Sequence, residues 1–168
     1  MGDLYVSWTD YNRTIERLAA NVHTSGWTFN QIVCIARGGL RVGDALSRIF
    51  DSPLAIISTA SYTGEAGNVR GEMIIAKHMT MTTDRLGDAV LLVDDLVDSG
   101  VTLDVVKKHL HAAHPHIQAI RTAVLWYKGS SHVKPDYYVD HLPENPWIHQ
   151  PFEPYEQMKP ADLAARMK

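Results

Sequence analysis

Val90-Leu91-Leu92-Val93-Asp94-Asp95-Leu96-Val97-Asp98-Ser99-Gly100-Val101-Thr102-Leu103 reads as a strand, a polar loop and a helix start in direct succession. The aliphatic run Val90–Val93 suits a strand buried on both faces, as in a parallel sheet. It ends in two adjacent acids. A third acid, a serine, a glycine and a threonine follow before helical spacing begins near Leu103. The free N–H groups of a helix N-terminus form a ready phosphate site. Gly100 lets the backbone approach an anion, and the hydroxyls of Ser99 and Thr102 add donors. Asp94 and Asp95, just upstream, suit ribose hydroxyls or a divalent cation. The stretch has the chemistry of a sugar-phosphate site, with carboxylates on the sugar side and donors on the phosphate side. Two other nucleotide loops are excluded, since neither G-x-x-x-x-G-K-[ST] nor a strand-borne G-x-G-x-x-G occurs.

Working outward, Ile15, Leu18, Ala19 and Val22 recur at helical spacing and predict an amphipathic helix over residues 8–24, closed by Ser25-Gly26. Gln31–Ala36 is a short apolar run, a buried strand. Val42, Ala45, Leu46 and Ile49 predict a second helix that stops near Phe50, before Pro53, and Leu54–Ser58 predicts another strand. Residues 60–71 hold three glycines and no periodicity, so they read as a mobile loop or hairpin arm. A helix over Leu103–Ala113 and a strand over Ile117–Tyr127 follow the phosphate loop. The tail from Lys128 has two short apolar pieces, Tyr137–Val139 and Pro146–Ile148. Its Trp147 and Phe152 predict that it folds back rather than hangs free. Strand–helix alternation implies right-handed crossovers and a mainly parallel sheet in an α/β fold. No repeat or linker divides the chain, so residues 1–168 read as a single domain.

A second strand-end loop, Ile35-Ala36-Arg37-Gly38-Gly39-Leu40, also feeds a helix. Its glycines free backbone N–H groups for an anion, and Arg37 adds a bidentate guanidinium. A Gly-Gly turn alone says little; beside the Asp94–Thr102 loop it reads as a second anion contact.

Bulk properties narrow the function classes. Charged residues are 21% of the chain and the formal charge is −3, so no basic face for nucleic acid is announced. No long apolar span or signal-peptide pattern occurs, which predicts a cytoplasmic protein without an integral membrane segment. Cys34 is the single cysteine and lies in the apolar run Ile32–Ile35, which predicts a buried structural thiol.

The pattern in Val90–Thr102 (aliphatic run, two acids, two spacers, acid, Ser/Thr, Gly, any residue, Thr) resembles the phosphoribosyl-pyrophosphate signature of the type I phosphoribosyltransferases. Val124-Leu125-Trp126-Tyr127-Lys128, then Pro135-Asp136-Tyr137-Tyr138-Val139, then Trp147-Ile148-His149-Gln150-Pro151-Phe152-Glu153 narrow the resemblance to the 6-oxopurine branch, closest to the small bacterial xanthine–guanine (or hypoxanthine) enzymes. The similarity runs from Ile32 through Glu153. It implies a mainly parallel sheet flanked by helices, with a small hood formed by terminal segments and a flexible loop.

The resemblance also implies a reaction. Ribose 5-phosphate moves from phosphoribosyl pyrophosphate to xanthine, guanine or hypoxanthine in purine salvage, and pyrophosphate leaves. Mg²⁺ would be the cofactor and a homo-dimer or homo-tetramer the assembly. Arg37, Gly38 and Gly39 would meet the pyrophosphate, next to a non-proline cis peptide at Ala36–Arg37 or Arg37–Gly38. Asp94 would meet the ribose and Asp95 the metal. Asp98, Ser99, Gly100, Val101 and Thr102 would hold the 5′-phosphate, with Asp98 also the proton acceptor from the base or the group that holds its N7. Lys128 would donate to the 6-oxo group, Trp147 would stack on the base, and the Ile148 carbonyl would accept from it. Ser61 and Tyr62 would belong to the loop that closes over the reaction, and Arg70 would be a basic group on the pyrophosphate. Glu153 falls where the family tends to have an acid near the metal. Two alternatives share the fold: a regulator that senses the nucleotide or the activated sugar, and a transferase for another base. Lys128 with Trp147 argues against the latter, because an ammonium has no acceptor to offer the amino group of adenine.

His109, His111, His114 and His116 lie close in sequence, but no Cys or second acid joins them. Pro115 ends the helix, so they read as solvated helix-end histidines favoured by the C-terminal dipole.

Overall fold

The computed structural model describes residues 2–61 and 73–167. In chain order the elements are β1 (Leu4–Tyr5), α1 (Trp8–Thr24), β2 (Gln31–Ala36), α2 (Leu40–Phe50), β3 (Leu54–Ser61), β4 (Met73–Ile75), β5 (Ala89–Val93), β6 (Leu96–Val97), α3 (Val101–Ala113), β7 (Ala119–Lys128), β8 (Tyr137–Leu142), β9 (Ile148–His149), α4 (Pro154–Gln157) and α5 (Pro160–Arg166).

Among the described residues seven strands form the main sheet, in the order β4-β3-β2-β5-β7-β6, with β8 on the other side of β7. Every pairing is parallel except β3 with β4. Strand alternation sorts the aliphatic runs into two apolar layers. Ile32, Cys34, Leu91 and Val93 pack with Leu18 of α1 and Leu46 of α2. Val33, Ile35, Val90 and Leu92 pack with Val106 and Leu110 of α3. Burial on both faces is why β2 and β5 are unbroken runs of apolar residues. From β2 the chain steps outward to β3, whereas from β5 it steps the other way to β7. Such a reversal opens a crevice at the carboxyl ends of the two central strands. The loops Arg37–Gly39 and Asp94–Asp95 occupy that edge.

Several sequence expectations change in detail. The helix expected from Leu103 begins at Val101, because Gly100 turns the chain at φ +87° and its carbonyl accepts from the Asp104 N–H, 3.1 Å away. Thr102 therefore lies in the first helical turn. The strand expected to end at Tyr127 includes Lys128 as its last residue. β3 runs on to Ser61 and pairs antiparallel with β4, Ser61 opposite Met73, which is a hairpin arm. Tyr62 and Arg70 lie outside the described residues.

The tail folds back, as expected, but its aromatics divide. Phe152 packs on the core, while Trp147 is 61% exposed. β1 and β9 form a separate two-stranded parallel sheet, Leu4 opposite Ile148 and Tyr5 opposite His149, so both ends of the chain contribute to a hood. Among the described residues no helix is long and apolar enough to cross a membrane.

Candidate active site

The acid pair sits in a break between two strands. β5 lies beside β7 with Val93 opposite Ala123, and β6 resumes beside the same strand with Leu96 opposite Trp126. In the break the Asp94 N–H donates to the Ala123 carbonyl at 3.2 Å, and the Asp95 carbonyl accepts from the Leu125 N–H at 2.9 Å. The backbone stays satisfied while both carboxyls are presented at the sheet edge. Asp94 Oδ1 accepts from the Asp95 N–H at 2.9 Å. Burial pushes the Asp94 carboxyl well above the usual carboxylate range, and the charge of Asp95 adds to this; the N–H groups of Asp95 and Gly39 oppose it. Asp95 Oδ1 accepts from the Leu96 N–H at 2.8 Å, and Oδ2 from Gln150 Nε2 at 2.5 Å.

Beyond the acids the chain wraps a small cavity of about 160 Å³, lined by Asp94, Asp95, Asp98, Ser99, Gly100 and Thr102. Gly100 itself offers no capping side chain, and the Val101 N–H reaches Ser99 Oγ at 3.4 Å, so the N-terminus of α3 opens on this cavity beside a serine hydroxyl. A Cβ on Gly100 would stand 2.6 Å from Ser131 Oγ, so the turn admits only glycine.

Next to this cavity the structure brings together Asp98, Lys128 and Trp147. Lys128 is only 6% exposed. Its Nζ lies 3.3 Å from Asp98 Oδ2 and 5.8 Å from the Trp147 ring centroid. Asp98 Oδ1 also accepts from Ser130 Oγ at 3.0 Å, a contact that no motif in the sequence announces. The exposed indole presents a flat apolar surface to solvent. Ile148, the next residue, is buried and held in the hood sheet.

On the β2 side the Ala36–Arg37 peptide is cis, the first of the two positions that the resemblance implied. Gly38 lies under Asp95: a Cβ there would stand 2.5 Å from Asp95 Oδ1. The Arg37 side chain is 88% exposed and its guanidinium is 3.8 Å from Glu156 of α4. These groups open into a larger cleft of about 810 Å³, whose wall includes Arg37, Gly38, Arg41, Asp95, Gln150 and Glu153. Arg41 lies over the rings of Trp8 and Phe152, 4.9 and 5.4 Å from their centroids. Glu153 meets His149 Nδ1 at 3.2 Å, and His149 Nε2 meets Asp3 at 3.0 Å, so Glu153 is tied to the hood.

Two neighbours of Asp95 do not stand out in the sequence. Gln150 is buried, and its Oε1 has no hydrogen-bond partner among the described residues; the same holds for the Tyr11 hydroxyl. Burial first, and the charge of Asp95 next, push the Tyr11 phenol up.

The histidine expectation needs correction. His114 caps α3, and burial, followed by the charges of His116 and His109, lowers its pKa, opposite to the effect of a helix dipole. His116 meets the Leu86 carbonyl at 2.9 Å. Among the described residues no group of three His, Cys, Asp or Glu is arranged to hold a metal. Cys34 is fully buried, and burial raises its thiol pKa to about 11, as suits a structural role.

A mainly parallel sheet with an acid pair and a Ser-Gly turn into a helix at its switch point is the architecture of the type I phosphoribosyltransferase fold. The chain belongs to the phosphoribosyltransferase family, since residues 7–157 match the phosphoribosyl transferase domain. A xanthine-guanine phosphoribosyltransferase of Gluconobacter oxydans (strain 621H) is 33% identical over 149 residues, covering 88% of this chain and 83% of that protein. The solved structure of a purine phosphoribosyltransferase from Pyrococcus horikoshii Ot3 is similar with a TM-score of 0.75 and 31% identity, covering 91% of this chain and 95% of that one. A Helicobacter pylori xanthine-guanine-hypoxanthine phosphoribosyltransferase gives a TM-score of 0.77 at 26% identity, covering 96% of this chain and 98% of that one.

Proposed function

We propose that this protein salvages purines, transferring the phosphoribosyl group from phosphoribosyl pyrophosphate to a 6-oxopurine with Mg²⁺ as its divalent cation. The observation that carries the reading is Lys128. A nearly buried ammonium sits between the phosphate cradle and an exposed indole, 3.3 Å from a carboxylate and 5.8 Å from the ring centroid. An ammonium has three donors and no acceptor, so it pairs with a 6-oxo group and leaves a 6-amino group unpaired.

The roles follow from placement. The 5′-phosphate binds residues 98–102, on the N–H groups of α3 and the hydroxyls of Ser99 and Thr102. Asp94 faces the ribose hydroxyls. The purine lies on Trp147 with its 6-oxo group toward Lys128 and its edge toward the Ile148 carbonyl. As the C1′–oxygen bond to pyrophosphate breaks and the C1′–nitrogen bond forms, the base loses a ring proton, which the Asp98 carboxylate accepts. Ser130 keeps that carboxylate in place. Pyrophosphate is held in the larger cleft by the loop Arg37–Gly39; the roles that the family resemblance implies for Tyr62 and Arg70 fall outside the described residues.

The cleft fits a hard dication. Its donors are oxygens, and its wall carries Asp44, Asp95, Glu153 and Glu156 against Arg37 and Arg41, a poor match for a bare polyanion. Asp95 would hold Mg²⁺, which when bound offsets the charge of the departing pyrophosphate.

The test is a panel of purine and pyrimidine bases assayed with phosphoribosyl pyrophosphate and Mg²⁺, reading released pyrophosphate. The expected result is turnover with guanine, xanthine or hypoxanthine. Preference for adenine, uracil or orotate would overturn the base assignment.

A further inference from the structure

Gln150 has no role in the chemistry above, yet it is tied to the acid at the centre of the cleft. It lies just past the hood strand β9, is 7% exposed, and lines the larger cleft together with Asp95. Its Nε2 donates to Asp95 Oδ2 at 2.5 Å. The other carboxylate oxygen accepts from the Leu96 N–H at 2.8 Å and rests against Gly38. Asp95 is thus fixed from the sheet by its neighbour's backbone, from below by the Arg37–Gly39 loop, and from the tail by one amide. A carboxylate so restrained is preorganised for a ligand, because its rotamer freedom is already lost. The amide orientation is set by charge: turned over, Oε1 would face the Asp95 oxygen and repel it. That leaves Oε1 buried and without a partner among the described residues. A buried carbonyl oxygen of this kind is costly unless something donates to it.

We propose that Gln150 is the positioning residue for the carboxylate of Asp95 that would hold the divalent cation. The proposal rests on the phosphoribosyl-transfer reading with Mg²⁺. It also gives the tail a second role, since the segment that carries Trp147 and Ile148 toward the base also reaches the sugar-diphosphate side. Filling the base subsite and fixing Asp95 then depend on the same piece of backbone.

The test compares the wild type with Q150L, which keeps the bulk of the side chain and removes both donor and acceptor. Binding of phosphoribosyl pyrophosphate is measured by calorimetry over a range of Mg²⁺ concentrations, and binding of guanosine 5′-monophosphate is measured without metal. Loss of a residue that orients a metal ligand typically weakens metal affinity about 10- to 100-fold. The expected result is a rise of that order in the Mg²⁺ concentration needed for half-maximal binding of the activated sugar. KM for it rises, while kcat at saturating metal and sugar and metal-free nucleotide binding stay near wild type. An unchanged Mg²⁺ requirement in folded Q150L would reduce Gln150 to tail packing and overturn the proposal. Should Q150L not fold, Q150N gives the same reading, because it keeps an amide but withdraws it from Asp95 by one methylene. If the wild type itself binds the sugar without regard to Mg²⁺, it is the metal assignment that fails. In a D95N background the proposal requires that Q150L add no further loss, and an additive loss overturns it.

Discussion

Lys128 and Asp98, thirty residues apart in sequence, form an ion pair of 3.3 Å in which the lysine is almost wholly buried and the aspartate mostly exposed, at 8% and 60% of their side-chain surfaces. The group proposed to select the base and the group proposed to take its proton therefore touch each other. In that reading a purine between Trp147 and residues 98–102 would meet one polar unit, with a donor and an acceptor fixed at adjacent points.

For Asp98 the expectation is a turnover defect. Asp98→Asn keeps the contact with Ser130 but removes the proton acceptor. Loss of a general base typically costs about 10²- to 10⁴-fold in rate. Steady-state kinetics should show that fall in kcat, with binding of phosphoribosyl pyrophosphate near wild type. Near-normal turnover would remove Asp98 from the mechanism.

Lys128→Ala should act on selectivity. Because Asp98 is exposed, truncating its partner strands no buried charge. The loss should then be that of a charge-assisted hydrogen bond to the base, roughly 1.5–3 kcal/mol. kcat/KM for guanine, xanthine or hypoxanthine should fall by about tenfold or more, with adenine little changed. An equal loss on every base would show that Lys128 serves the sugar phosphate instead.

At Asp94 the expectation is stability traded for the proposed binding of the activated sugar. Its carboxyl is held above the usual range chiefly by burial, so the folded chain binds that proton more tightly than the unfolded chain does. Stability from this group therefore grows as pH falls through the raised value, and above it ionisation opposes the fold. Asp94→Asn removes that opposition. A thermal melt at neutral pH should show the variant more stable than wild type, while calorimetry shows weaker binding of phosphoribosyl pyrophosphate. A variant less stable at neutral pH would contradict the buried-charge account.

For His149 the cause is hydrogen bonding rather than burial. The bond to Asp3, then the contact with Glu153, raises its pKa above the ordinary 6.5. The stabilisation is fully present below that ordinary value, provided the acids are ionised, and it disappears as pH rises through the raised folded value. Melting temperatures of wild type and His149→Asn should differ most between about pH 4.5 and 6.5 and converge at higher pH. A gap that widened toward alkaline pH would mean that neutral His149 is the form the hood prefers.

Much of this is legible from the chain. β2 and β5 announce themselves because both sheet faces are covered and leave long apolar runs, and β7 does so through Ala123–Trp126. The acids, glycines and hydroxyls of the cradle are contiguous, so their chemistry can be read directly. Other features arise only from contacts between distant segments. β1 and β9 are two residues each, too short for any periodicity, and exist because each has the other to bond. Gln150 is a polar residue in a Pro-flanked tail, and nothing local says that its amide reaches Asp95. Trp147 has the look of an anchor for the tail, but a residue meant to stack on a ligand keeps its face in solvent. The dipole at the end of α3 favours protonated histidines, yet burial and neighbouring imidazoles outweigh it at His114.

The hood sheet gives the two halves of the site different histories. The cradle, Asp94 through Thr102, is assembled from one short stretch beside its own neighbouring strands. The hood strand that carries Ile148 pairs with Leu4 and Tyr5 across almost the whole chain. Closing so long a loop on two residue pairs is entropically expensive for a small return. Hydrogen exchange should therefore show the amides of Leu4 and Val6, which bond to Trp147 and His149, opening well before those of β5. The enzyme would let go of its base-facing wall while its grip on the sugar phosphate is still intact.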